Sequence, residues 1–301
     1  MVILTWNRVD ELMRTVAHSV ALPEHPEVVV VDNGSQDGSA QRISKAFPDV
    51  KLVRLPRNIG AAARNHGVKV VNAPYVAFSD DDTLWSPGSL AAGAALLDAH
   101  SEIAVLCARV LVGPERREDS ASLAMASSPL PGVGLPGREV IGFMAGACLF
   151  RREAFIQAGG YEPQLFIGAE ESLLSLDIAA LGWRLVYTDA MTVHHLPSRL
   201  RDDVARRPLV MRNLLWAAWV RRSLPAALAI TMDITRDWRD PQVRAGVREA
   251  LARWSWVLAR RRVVPPGIDA RFKVVEQWLR RRDSQAGAAP GARPPNHETR
   301  D

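Results

Sequence analysis

Four consecutive valines, Val28 to Val31, run straight into Asp32-Asn33-Gly34, and this feature limits the fold more than any other. The run is too short for a helix and apolar on both faces, which suits a strand covered by helices on either side. The pattern recurs. Val2 to Thr5 is a short strand followed by Trp6-Asn7-Arg8, Lys51 to Leu55 is a third, and Tyr75 to Phe78 leads directly into Asp80, Asp81 and Asp82. Asp10 to Val20, Ser39 to Phe47 and Ala61 to Val71 between them have helical spacing. Strand and helix therefore alternate, and an α/β fold with a mostly parallel sheet is expected. In such sheets ligands bind beyond the carboxyl ends of the strands, so the segments after Leu4, Val31 and Phe78 should converge on one crevice.

At 301 residues the chain can bury a sizeable core without metal or disulfide staples. Hydrophobic residues at 48% and charged residues at 24% exclude a disordered or collagen-like chain. Only Cys107 and Cys148 are present, both among apolar neighbours, which excludes a multi-cysteine zinc site and suits the cytoplasm. Val2 to Leu4 is too short for a secretory signal, and Leu209 to Ile230 is interrupted by Arg212, Arg221, Arg222 and Pro225, so no transmembrane helix is expected. The net charge of +5 is divided unevenly, with −6 on residues 1 to 198 and +11 on residues 199 to 301. The basic block has two readings, a solvated helical face or a surface for an anionic partner.

The remaining chain is less periodic. Gly113 to Glu139 is rich in Pro, Gly, Ser and Arg and reads as a long surface excursion, with order resuming over Ile141 to Phe150. Beyond Pro197 the pattern is helical: Val247, Leu251, Trp254 and Leu258 share one spacing, and Val274 with Trp278 continues it. Three parts are expected: an α/β domain over 1–198, a basic helical extension over 199–283 and a disordered tail over 284–301.

Several polar groups fall where the crevice should be. Asp32 ends its strand at the sheet edge, where a carboxylate can accept hydrogen bonds from a nucleobase or ribose. Arg64 would project from its helix as a donor fork beside Gly60, in Asn58-Ile59-Gly60-Ala61-Ala62-Ala63-Arg64. Asp80 and Asp82, two apart after a strand, can grip a hard divalent cation and a ribose hydroxyl. Glu170 and Glu171 open a helix whose buried face is Leu174, Ile178 and Leu181; they either complement the macrodipole or supply a general base. A last strand ends in His194 and His195, structural or ligating according to whether the acidic cluster lies alongside. Neither a Walker loop nor a G-x-G-x-x-G is present, which disfavours P-loop and dinucleotide readings.

In order, TWNR at 5–8, VVVDNGSQDGS at 29–39, NIGAAARN at 58–65, FSDDD at 78–82, FRREAFIQAGGYEP at 150–163, GAEE at 168–171 and VHH at 193–195 closely resemble the family 2 glycosyltransferases of the GT-A fold. The resemblance covers residues 1 to 198. It implies that Thr5, Asp32 and Arg64 hold the nucleotide, that Asp80 lies near the ribose with Asp81 beside it, and that Asp82 binds Mn²⁺ or Mg²⁺. It places the base at Glu171, with Glu170 as the alternative because the family often shows Glu-Asp there, and puts His195 or its neighbour next to the metal. Gly159, Gly160 and Tyr161 match the segment bordering the acceptor.

The function implied is inverting transfer of a sugar from a nucleotide-diphosphate donor to an acceptor hydroxyl of a glycan, lipid-linked or small molecule, as in cell-envelope polysaccharide synthesis, by single displacement. A nucleotidyltransferase is the nearest rival but would need a basic Gly-rich loop that residues 1 to 20 lack; an inactive nucleotide-sugar or glycan-binding module is the other. The location implied is cytoplasmic, with the basic tail at the inner face of the membrane as a platform for a lipid-linked acceptor, and Trp216, Trp219, Trp254 and Trp256 either at that interface or packing helices. No nucleic-acid partner is expected.

Overall fold

A computed structural model describes residues 1–197 and 203–288. Strands β1 (Val2–Thr5), β2 (Val29–Asp32), β3 (Lys51–Arg54) and β4 (Tyr75–Asp80) run parallel in the order β3-β2-β1-β4, joined through helices α1 (Val9–Val20), α2 (Ser39–Ala46) and α3 (Arg64–Val70). Thr5 lies beside Asp32 and Leu4 beside Asp80. The valine run is buried on both faces: Val29 and Val31 belong to one apolar cluster, Val28 and Val30 to the other. That division follows from side chains alternating across a strand.

Beyond β4 come β5 (Thr83–Trp85), α4 (Ser89–Ala99), β6 (Ile103–Val112), β7 (Arg117–Glu118), α5 (Ser120–Ala126), β8 (Arg138–Val140), β9 (Cys148–Arg151), α6 (Arg152–Gln157), α7 (Glu170–Ala180) and β10 (Arg184–His195). The mixed ten-stranded sheet continues β4-β9-β6-β10-β5, with β9 antiparallel to both neighbours and β5 antiparallel to β10. Pairing of β5 with β10 sets His195 opposite Thr83, carrying the end of β10 back to the acidic segment after β4. Cys107 and Cys148 face each other on β6 and β9, both buried.

Several local expectations need correction. The 113–139 excursion contains β7, α5 and β8, elements too short to show a period. Asp119 caps α5 by accepting from the N–H groups of Ala121 and Ser122 (2.7 and 3.2 Å), and β8 pairs with β10. Within Ile141 to Phe150, where order was expected to resume, regular structure begins only at Cys148. The helix expected over Ala61 to Val71 starts as a 3₁₀ turn, Gly60–Ala63, before α3. Leu174 and Ile178 are buried on α7, but Leu181 lies past its end and is 51% exposed.

The extension folds into α8 (Asp203–Arg221), α9 (Leu224–Thr235), α10 (Pro241–Ala252), α11 (Trp254–Arg260) and α12 (Pro266–Ala288). The series Val247, Leu251, Trp254, Leu258 does not form one helical face. The chain breaks at Arg253, and Leu251 and Leu258 are exposed. Trp216 packs at a tilt against Trp256 and Trp219 edge-on against Trp254 at ring-centre separations of 5.2 and 5.1 Å, all four in one apolar cluster with Leu165 and Leu173. These tryptophans pack helices, as one of the two sequence readings has it. Helix α12 runs to Ala288, so the disorder expected from Ser284 does not hold for 284–288; the remainder, 289–301, lies outside the described residues, as does the expected boundary at 198.

Part of the tail's positive charge is paired with carboxylates of the preceding chain. Arg221 pairs with Asp177 of α7, Arg271 with Glu139 of β8, and Arg260 with Glu162 at 3.5 Å. The acidic domain and the basic extension thus neutralise each other along their contact. Among the described residues no helix is long and apolar enough to cross a membrane.

Candidate active site

The carboxyl ends of β1, β2 and β4 bring Thr5, Asp32 and Asp80 side by side, and the loops after β1, β2 and β3 are tied together by side chains. Asn7 accepts from the Gln36 N–H (2.8 Å), and its own N–H donates to Ser35 Oγ (2.9 Å). Asn33 donates through Nδ2 to Asn58 Oδ1 (2.9 Å) and the Gly60 carbonyl (3.1 Å), and accepts from the Ile59 N–H (2.9 Å). The three loops are therefore linked into one rim.

Asp32 is fully buried. Its Oδ1 accepts from the Ser35 N–H at 2.8 Å, while Oδ2 has no hydrogen-bond partner, with Arg54 Nε 3.6 Å away. Arg64 is equally enclosed. It donates through Nη2 to Asp80, lies 5.7 Å from the Tyr161 ring centre, and keeps an unpaired Nε. Burial opposes its charge, but the Asp80 carboxylate, with Tyr161, Glu170 and Glu171, holds its pKa above the ordinary value.

The acidic triplet splits three ways. Asp80 turns to Arg64. Asp81 turns inward, accepting from the Thr5 hydroxyl (2.9 Å) and from Arg8 (3.0 Å), and its carbonyl accepts from Thr15 Oγ1 (2.6 Å). Asp82 Oδ2 accepts from the same Arg8 nitrogen (3.2 Å), and its Oδ1 faces His195 Nε2 at 3.6 Å. His194 points the other way, its Nε2 2.6 Å from the Gly113 carbonyl. The structure thus selects His195 as the histidine beside the acidic cluster. Among the described residues no group of three or more His, Cys, Asp or Glu side chains is arranged to hold a metal.

Burial pushes the Asp81 carboxyl from its ordinary 3.8 up to about 7, with Arg8 opposing and Asp82 and Asp80 adding to the rise. A carboxyl whose pKa rises on folding gives stability that is full below its unfolded value and is lost as pH climbs through the folded one. Asp81→Asn should remove that loss. Thermal unfolding at pH 5 and pH 8 is expected to show the variant gaining on the parent at pH 8; an equal difference at both values would contradict the assignment.

Glu170 is 5% exposed with Oε2 unpaired, and Glu171 beside it is half-buried. Burial raises the pKa of both, the Glu170 charge raises Glu171 further, and Arg64 opposes the rise in each. Arg64 and Asp80 thus link the glutamate pair electrostatically to the triplet. Of seven buried polar side-chain atoms without a partner among the described residues, four belong to Asp32, Arg64, Tyr161 and Glu170. Unpaired buried polar atoms are costly, so their concentration here sets this end of the sheet apart from the rest of the described residues.

The acceptor-segment candidates lie at the same end. Gly159 (φ +87°) is open, Gly160 (φ +68°) abuts Asn65, and Tyr161 is buried among Phe78, Phe143 and Phe155. Asn65 holds this turn by donating to the Tyr161 carbonyl (2.8 Å) and accepting from its N–H (2.9 Å). The Tyr161 ring meets the polar cluster through Arg64. Arg8, Asn33 and Asn65 were not singled out as site residues from the sequence. Each stands within a segment the sequence did mark, but an Arg or Asn in a loop carries no periodic signal of what it will touch.

The description "Glycosyl transferase family 2" matches residues 1–159. An N-acetylglucosaminyl-diphospho-decaprenol L-rhamnosyltransferase of Mycobacterium tuberculosis is 26% identical over 235 residues, covering 65% of this chain and 75% of the relative. Among solved structures, GalNAc-T7 with UDP, GalNAc and Mn²⁺ superposes with a TM-score of 0.57 at 18% identity, over 74% of this chain and 48% of that one. This chain therefore spans about half of the GalNAc-T7 chain's length. The mannosyltransferase PcManGT of Pyrobaculum calidifontis, in complex with GDP-Man and Mn²⁺, superposes with a TM-score of 0.54 at 18% identity, over 92% of this chain and 85% of that one. The fold is the GT-A type expected from the sequence. With over half its length matched by the family and its fold shared with sugar-transferring enzymes, the chain belongs to glycosyl transferase family 2 and is a glycosyltransferase.

Proposed function

We propose that the protein transfers a sugar from a nucleotide-diphosphate donor to an acceptor hydroxyl with inversion, assisted by a divalent cation. The supporting observation is the convergence of Asp80, Asp82, His195, Arg64 and the Glu170-Glu171 pair at one end of the sheet, with unpaired buried atoms on Asp32, Arg64 and Glu170. Asp32 Oδ2 would accept from the base or ribose, with Thr5 and Arg64 completing the nucleotide side and Asp80 near the ribose. Asp81, beside Asp80, would hold Thr5 and Arg8 in place on the nucleotide-sugar side.

Asp82 and His195 suit Mn²⁺ or Mg²⁺. They offer one carboxylate and one imidazole 3.6 Å apart, and such ions take one or two protein ligands together with phosphate oxygens and water. When bound, the ion would act as a Lewis acid that neutralises charge on the departing diphosphate. Glu171 would accept the acceptor hydroxyl proton as that oxygen attacks the anomeric carbon and the bond to the diphosphate breaks; Glu170 is the alternative base. The raised pKa of the pair suits proton uptake near neutral pH. Gly159, Gly160 and Tyr161 would border the acceptor.

Residues 1–198 would form the catalytic unit, with the helices from 199 on its acceptor side. The acceptor would be a glycan, a lipid-linked saccharide or a small molecule, in cell-envelope polysaccharide synthesis at the cytoplasmic face of the membrane. The lipid-linked reading draws on the mycobacterial relative's name and on α9, where Leu224, Leu228 and Met232 recur every fourth residue and are 53%, 45% and 65% exposed, followed by exposed Arg236, Trp238 and Arg239. The protein is expected to sediment with vesicles containing anionic lipid at low salt, and Met232→Glu should weaken this; no sedimentation would remove the membrane reading. For the activity, calorimetric titration with a panel of nucleotide sugars in Mn²⁺, followed by product analysis, is the test. Binding without product would favour an inactive binding module, and release of pyrophosphate from a nucleoside triphosphate would favour a nucleotidyltransferase.

A further inference from the structure

The chain just before Glu170 is held in an unfavourable conformation. Phe166 (φ +62°, ψ −73°) is the centre of a γ-turn closed by the Ile167 N–H donating to the Leu165 carbonyl at 2.8 Å. That turn geometry is rare and strained for a residue with a side chain. Gly168 (φ +90°) and Ala169 (φ +61°) follow, also in the left-handed region, and Ala169 is the residue from which α7 and both glutamates spring. Three such residues within four positions need outside support.

Support comes from two sides. On the donor side, the Ala61 N–H donates to the Phe166 carbonyl at 2.7 Å, and Gly60 lies so close that an added Cβ would sit 1.9 Å from the same oxygen. On the other side stands Asn213 of α8, fully buried, whose Nδ2 lies 2.7 Å from the Leu165 carbonyl, 3.0 Å from that of Ile167 and 2.6 Å from that of Gly168. Its Oδ1 accepts from Arg212 Nε at 3.0 Å, which sets the amide orientation, and Arg212 also donates to the Leu165 carbonyl at 3.2 Å. One amide group thus gathers three carbonyls of a strained segment that would otherwise turn toward unlike directions.

We propose that Asn213 is a positioning residue for the base: by holding the 165–168 turn from the helical extension, it fixes where Glu170 and Glu171 enter the site. This rests on the reading of the glutamate pair as the base. The helical extension is then part of the catalytic apparatus rather than an appendage. None of Asn213's hydrogen bonds reaches Thr5, Asp32 or Arg64, so loss of Asn213 is expected to separate binding from turnover.

The test uses the full chain, with Asn213→Ala and Asn213→Asp; the second keeps the side chain's size but replaces the N–H donors by oxygen. Both are expected to lower kcat at least tenfold, to leave the affinity for the nucleotide sugar within about twofold by titration calorimetry, and to move the acid limb of the kcat–pH profile. A purely structural residue would lower the melting temperature and the active fraction together and leave the pH limb of the surviving enzyme in place, and that result would overturn the proposal. So would unchanged kcat in both variants, or failure of both to fold. Full activity in Glu171→Gln and Glu170→Gln would instead overturn the reading on which it rests; inactive glutamate variants beside a fully active Asn213→Ala would overturn this inference alone.

Discussion

Asp82→Ala is expected to lower metal-dependent transfer by about a thousandfold, the equivalent of about 4 kcal/mol of lost charge stabilisation on the departing diphosphate. The size follows from the site's economy of ligands. Asp82 and His195 would supply the protein's share of the ligation, and among the described residues no group of three or more His, Cys, Asp or Glu side chains is arranged to hold a metal. Removing the carboxylate leaves one imidazole, so the Mn²⁺ dependence of the residual rate should weaken as well. The check is kcat/KM across a Mn²⁺ titration. Activity equal to the parent at saturating metal would eliminate Asp82 as the anchoring carboxylate.

Glu171→Gln is expected to cut kcat by about a hundredfold to ten-thousandfold while leaving donor affinity nearly unchanged, the range that general-base catalysis supplies. The sign of the pH dependence follows from the raised pKa. A base must be ionised to take a proton, so kcat should climb with pH through an acid limb lying above the usual carboxylate range near 4.3. The amide has no such ionisation, and the variant's residual rate should lose that limb. If Glu170→Gln shows this behaviour and Glu171→Gln does not, the base is the first glutamate; its unpaired, buried Oε2 keeps that outcome distinct. A strong loss of donor binding in Glu171→Gln would point to a structural role instead.

The parts of this protein legible in the sequence are those governed by short-range rules. Val28 to Val31 could be read as a strand buried on both faces because four valines leave no polar side for solvent, and both faces are covered. Asp32 and Asp80 could be read as crevice residues because parallel strands expose their carboxyl ends together, and the register sets them on either side of β1. The 113–139 segment was illegible for the opposite reason. Its strands gain their hydrogen bonds from β6 and β10, and two or three residues show no period.

The contacts each member of the triplet makes were beyond the sequence too. Three consecutive aspartates look alike on paper. Adjacent side chains leave a backbone in different directions, and what each meets depends on Arg64 from α3, Thr5 and Arg8 from the β1 end, and His195 from a strand over a hundred residues later.

What the sequence determined by itself was therefore the parallel strands β1 to β4, the end of them that is polar and the family, because strand periodicity, turn residues and motif order are local and additive. What only the tertiary structure decided was which histidine faces Asp82, that Asp81 turns inward, and that Asn213 of the helical extension grips the turn before Glu170. Those outcomes depend on long-range contacts, whose geometry is fixed when the layers close on one another and is written in no single segment.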